Sequence, residues 1–180
     1  NTARETSGGA GTKTAALCSG GNTGSPTGAT ELWNGTNWTE VNDLNTARRI
    51  LGGAGTSTSA LDFGGTPPNT AVTESWNGTN WTDVADLNTA RLGIGSSGTD
   101  NTSSLAFGGE GPPVVGNTES WNGSIWTEKN DLNLARYEMS GAGTNTVGLA
   151  FAGTAGGVTG ATEEWNAGVN LGAWYTGGTM

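Results

Sequence analysis

Apolar positions in this chain gather into short runs bounded by glycine, threonine and asparagine, and the same runs return four times. The segments Ala16-Leu17-Cys18, Ala60-Leu61-Asp62-Phe63, Leu105-Ala106-Phe107 and Leu149-Ala150-Phe151 each lead into a small pair: Gly20-Gly21, Gly64-Gly65, Gly108-Gly109 and Ala152-Gly153. A Glu-x-Trp segment follows each, then a turn-forming Asn and a second Trp. Runs of this length with glycine punctuation predict β-strands rather than helices.

The recurrence has a fixed period. Trp33, Trp76, Trp121 and Trp165 are 43, 45 and 44 residues apart, and Arg4, Arg48, Arg91 and Arg136 are 44, 43 and 45 apart. Four repeats, residues 1–44, 45–87, 88–132 and 133–180, therefore account for the chain as a single domain. Each repeat holds four strand-sized pieces: a small-residue strand after the Arg, the apolar strand, the Glu-x-Trp strand and the strand of the second Trp. Four such strands are the content of one propeller blade.

Within this frame several residues acquire expected roles. Asn34-Gly35, Asn77-Gly78 and Asn122-Gly123 predict type I′ hairpin turns, since both residues tolerate positive φ. The eight tryptophans and Phe63, Phe107 and Phe151 keep fixed repeat positions, as core aromatics would. Arg4, Arg48, Arg91 and Arg136 match Glu31, Glu74, Glu119 and Glu163 one to one, predicting an Arg–carboxylate pair in every repeat. The small residues of the first strands, such as Gly9, Ala10, Gly53 and Ala54, suit the narrow axis of one closed ring. Trp174 lies nine residues after Trp165 instead of five, and with Tyr175 it is expected to seal the fourth repeat to the first, near Cys18 and Ser19.

Charge and composition then exclude whole classes of function. The net charge is −9 with only 7 Lys and Arg, so no basic surface awaits nucleic acid. Cys18 stands alone and permits no internal disulfide. No apolar run reaches the length of a bilayer span, so membrane insertion is not expected. The chain opens on Asn1 without an initiator Met, as a processed chain or a piece of a longer one would.

The order Arg, small-residue strand, apolar strand closing on Gly-Gly, aromatic on strand three and Trp on strand four resembles the kelch repeat over all four units. It departs from that pattern in carrying Trp where Tyr is more usual, in Ala152-Gly153, and in a period short for the family. The resemblance implies an all-β fold, a β-propeller of four kelch-like blades with four antiparallel strands each. The near-identical units are also similar to tandem kelch-like domains of marine bacterial and phage fibre or surface proteins, which implies an extracellular or virion-surface location.

Kelch-like propellers include copper enzymes of the galactose oxidase type, whose chemistry needs imidazole and phenolate ligands. This chain has no His, and its two Tyr residues are Tyr137 and Tyr175. A Ser-His or Cys-His nucleophile fails for the same reason. The candidate acids are periodic, Glu31, Glu74, Glu119 and Glu163 in every repeat and Asp43, Asp86 and Asp131 in the three linkers, whereas a catalytic carboxylate pair is asymmetric. No enzyme, cofactor or metal is expected. The six Asn-x-Ser/Thr triplets fall mostly inside the repeated hairpin, where turn chemistry explains them.

Variation between repeats concentrates in the loops after the Gly pairs, on the end of the sheets shared with the Asp-Leu-Asn linkers. The candidate ligand-binding residues are Asn22, Thr23, Ser25, Thr66, Asn69, Glu110, Asn117 and Thr154. Small polar side chains of this kind suit a glycan or a protein surface, with other virion or fibre subunits as further partners. The expected function is a non-enzymatic binding or adhesion module, and its alternative is a purely structural subunit of a capsid, fibre or filament.

Overall fold

The computed structural model describes residues 2–168 and 172–178. These are all-β, with no helix among them. The first sheet comprises β1 (Gly8–Thr12), β2 (Ala15–Ser19), β3 (Thr30–Trp33) and β4 (Trp38–Glu40). The second comprises β5 (Gly52–Thr56), β6 (Ser59–Phe63), β7 (Thr73–Trp76) and β8 (Trp81–Asp83). The third contains β9 (Gly95–Asp100), β10 (Ser103–Phe107), β11 (Thr118–Trp121) and β12 (Trp126–Lys129). The fourth contains β13 (Ser140–Gly143), β14 (Val147–Phe151), β15 (Thr162–Asn166) and β16 (Ala173–Thr176). Each sheet is an antiparallel meander in sequence order.

Side-chain alternation gives every sheet two apolar faces, so each must be covered by a neighbour. On β6, Leu61 and Phe63 point toward the third sheet, where Phe63 meets Trp126 edge-on at 5.0 Å. Ala60 and Asp62 alternate with them and point back toward the first sheet, where Ala60 joins Leu17, Trp76 and Trp81 in one core. A second core unites Leu61 and Phe63 with Ala106, Trp121 and Trp126, and a third unites Leu105 and Phe107 with Ala150, Trp165 and Trp174. Each interface closes with the same hydrogen bond: the indole N–H of Trp81, Trp126 or Trp174 donates to the hydroxyl of Thr30, Thr73 or Thr118 on the preceding sheet, at 2.9–3.1 Å.

The predicted Arg–carboxylate pairs are present in all four repeats. Arg4 meets Glu31 at 3.0 Å, and Arg48, Arg91 and Arg136 meet Glu74, Glu119 and Glu163, all buried. Each Glu also accepts main-chain N–H groups of the linker ahead of its own sheet, as Glu74 does from Asn45 at 2.7 Å and Thr46 at 3.2 Å. The carboxylate thus receives both the charge and the backbone of the crossover, which is what makes its burial tolerable.

Two sequence expectations are corrected. The Asn-Gly turns are not type I′. Trp33 pairs directly with Trp38, leaving a four-residue loop in which Gly35 alone has positive φ, at +92°. The Asn34 side chain accepts the N–H groups of Thr36 and Asn37, both at 2.9 Å, and Asn77 and Asn122 repeat the arrangement. A two-residue turn would have broken the pairing of the two tryptophans across the hairpin, and the Asn side chain closes the longer loop instead. Trp174 does not seal the fourth repeat to the first either: it stacks edge-on against Phe107 of the third sheet, 4.9 Å away, while Tyr175 is 49 % exposed.

The first strands pack in series, β1 on β5, β5 on β9 and β9 on β13. Close approach there explains their composition, since a methyl group on Gly141 would lie 2.1 Å from the Ser96 carbonyl oxygen. At one end of these strands runs a chain of main-chain bonds, Glu138 N–H to Gly93, Gly93 N–H to Ile50 and Ile50 N–H to Thr6, at 2.8–3.0 Å. All four residues hold φ between +53° and +61°.

Candidate binding face

The loops singled out from the sequence, the Asp-Leu-Asn linkers and the residues after each Arg meet at one end of the four sheets. The Gly pairs create this end. Gly20 and Gly21 hold φ of +61° and +109°, and a side chain on Gly20 would stand 2.7 Å from the Arg48 carbonyl oxygen. That conformation turns the chain out of β2 and aims the Gly21 N–H at Arg48 of the following repeat, at 2.9 Å; Gly65 and Gly109 do the same toward Arg91 and Arg136. Linkers dock beside them, with the Leu44, Leu87 and Leu132 N–H groups donating to Gly28, Ala71 and Gly116.

Directly after each pair, Asn22, Thr66, Glu110 and Thr154 occupy one equivalent position. Each exchanges two main-chain hydrogen bonds, at 2.8–3.1 Å, with the residue following the repeat's Arg: Glu5, Arg49, Leu92 and Tyr137 respectively. The backbone is fixed while the side chains stay partly exposed. Thr23 and Ser25 are exposed beside Asn22, joined by a Thr23 N–H to Ser25 bond of 3.0 Å. Asn69 reaches across to the next repeat and donates to the Glu110 carbonyl at 3.3 Å. Asn117 stands apart at the foot of its loop, where its carbonyl accepts the Gly108 N–H at 2.9 Å.

Glu5, Arg49, Leu92 and Tyr137 were missed in the sequence reading, although the signal was present. The triplets Ala3-Arg4-Glu5, Ala47-Arg48-Arg49, Ala90-Arg91-Leu92 and Ala135-Arg136-Tyr137 keep two residues and change the third. A position whose backbone is pinned four times over and whose side chain differs each time is free of framework duty. Next to these positions in sequence, Thr6, Ile50, Gly93 and Glu138 line a depression of about 440 Å³. Glu5, Glu110 and Glu138 give the face an acidic cast, with Arg49 interrupting it.

The buried acids beneath this face serve the frame. Asp62 is the exception to the repeat, since Cys18, Ala106 and Ala150 occupy its equivalents. Burial pushes its pKa up to about 6, opposed by a hydrogen bond from Ser19 and by the Arg48 charge and reinforced by Glu74. It is 1 % exposed and lies between two sheets. Compared with protein-family models and with curated proteins, the chain matches none.

Proposed function

We propose that the four sheets are kelch-like blades of a β-propeller set around the glycine-rich first strands, and that the protein is a non-enzymatic binding or adhesion module of a virion, fibre or cell surface. Its contact face is the ring of paired positions Glu5–Asn22, Arg49–Thr66, Leu92–Glu110 and Tyr137–Thr154 with the loop residues Thr23, Ser25 and Asn69. The observation that carries the reading is the contrast at those pairs, an identical two-bond backbone bridge in every repeat bearing a different pair of side chains. Rigid main chain under small and mixed polar side chains suits a glycan or a protein epitope, bound through several modest hydrogen bonds around the Tyr137 ring. The periodic glutamates, each already committed to an Arg, and the periodic aspartates, each accepting a main-chain N–H of the third strand, support a role without catalysis.

The test is an array of surface glycans probed with the labelled chain, repeated with Tyr137→Ala and with Thr66→Ala/Glu110→Ala. Binding of a glycan by the parent and its loss in both variants supports the assignment. Retention in both variants sinks the proposed face, and an array without any bound glycan removes the glycan as the ligand.

A further inference from the structure

The three Asn-Gly turns hold the parts of a reaction that no framework role uses. The electrophile is the side-chain amide of Asn34, Asn77 or Asn122. Its oxygen accepts two main-chain N–H groups at 2.9–3.0 Å: Thr36 and Asn37, Thr79 and Asn80, or Ser124 and Ile125. The nucleophile is the main-chain nitrogen of the next residue, Gly35, Gly78 or Gly123, which carries no side chain to shield it. Among the described residues, neither that glycine N–H nor the Asn amide nitrogen makes a hydrogen bond. All three asparagines are exposed to water, the co-reactant.

The fourth repeat supplies the contrast. Asn166 holds the equivalent position, is equally exposed, and its oxygen accepts the Gly168 N–H at 2.8 Å. Ala167 follows it, with a methyl group beside the nitrogen where the other three turns have none. The Ala167 N–H is also engaged, donating to the Thr146 carbonyl at 2.9 Å. At this turn the nucleophile is both shielded and occupied.

We propose that Asn34, Asn77 and Asn122 are self-modification sites, at which the folded turn converts each side-chain amide to aspartate and isoaspartate. Water or hydroxide takes the glycine N–H proton, and the nitrogen bonds to the Asn Cγ. Negative charge gathers on Oδ1, where the two N–H donors receive it as an oxyanion hole does. Collapse breaks the Cγ–Nδ2 bond and releases ammonia, its added proton coming from water. A second water opens the cyclic imide, at Cγ to give aspartate or at the main-chain carbonyl to give isoaspartate. No electron is gained or lost. Each event adds one negative charge to a chain already at −9, at the end of the sheets opposite the candidate binding face.

The test needs no variant. The full chain is held at body temperature and mildly alkaline pH, once in buffer and once unfolded in guanidinium at the same pH. Aliquots are digested in acid and mapped by mass spectrometry, with circular dichroism establishing that the buffer sample stays folded. Each of the three sites should lose the mass of ammonia as the imide forms, then stand one mass unit above the parent. In a water-excluded site one oxyanion donor is worth roughly 10²–10³ in rate, and an exposed turn keeps part of that, so conversion should be about tenfold faster folded than unfolded. Asn166 should stay unconverted in the folded chain over the same period. Folded conversion at a rate equal to or below that of the unfolded chain overturns the proposal. Conversion of Asn166 as fast as Asn34 overturns it equally.

Discussion

Replacing Asp62 with Asn isolates a buried acid whose pKa burial raises. The carboxylate lies between the second strands of the first two sheets, where Ser19 donates to it. Its protonated form is favoured in the folded protein, since burial raises the pKa from 3.8 to about 6. The folded state therefore binds more protons than the unfolded chain across that interval. The stabilising contribution is complete below the ordinary value and is lost as pH rises through about 6, a change of roughly 3 kcal/mol. An Asn keeps the shape and an acceptor for Ser19 but cannot ionise. Urea unfolding followed by tryptophan emission, at steps from about pH 4 to about pH 8, should give parent and variant similar stability at the acid end. The variant should then gain by about 2–3 kcal/mol at the alkaline end. Taking the difference between the two proteins cancels the carboxylates that do not interact with Asp62. A difference that stays flat, or one that grows in the parent's favour as pH rises, refutes the reasoning.

Arg91→Met should cost about 3–5 kcal/mol in urea unfolding by stranding Glu119, and Arg91→Met/Glu119→Leu should recover most of that loss. Trp121→Ala should cost about 3–5 kcal/mol in urea unfolding, while Trp38→Ala, at a side chain 36 % exposed, should cost less than half as much. Gly141→Ala forces a methyl against the Ser96 carbonyl and should lower stability by at least about 1–3 kcal/mol, read from the thermal midpoint.

What the sequence disclosed and what it withheld separate by mechanism. Strand number, meander order and the Arg–Glu pairs follow from residues that occur once per repeat, because periodicity converts one weak local signal into four concordant ones. Hairpin type was misread because Asn-Gly is equally at home in a four-residue loop, and the pairing of Trp33 with Trp38 decided between them. Trp174 was misassigned because spacing along the chain does not say which face of a sheet a side chain takes. Its opposite number on β15, Trp165, does, since directly paired residues share a face. At the candidate face, Asn22, Thr66, Glu110 and Thr154 came from loop variation, whereas Glu5, Arg49, Leu92 and Tyr137 were hidden beside the invariant Arg. Asn117 was included as a polar residue of a variable loop, yet its contribution there is a carbonyl that any residue provides.

The lock between each linker and its Glu defines what can be moved. Asn45, Thr46 and Arg48 hang from the first sheet by covalent connection, but all three converge on Glu74 of the second. A piece running from residue 45 to residue 87 therefore carries lock and key together. A piece begun inside β5 would leave its carboxylate buried without a cation. The same rule holds at Asn88 with Glu119 and at Asn133 with Glu163. Arrays of this kind can be lengthened, shortened or grafted by cutting just ahead of Asn45, Asn88 or Asn133, and the portable module is set by electrostatics rather than by the edges of a sheet.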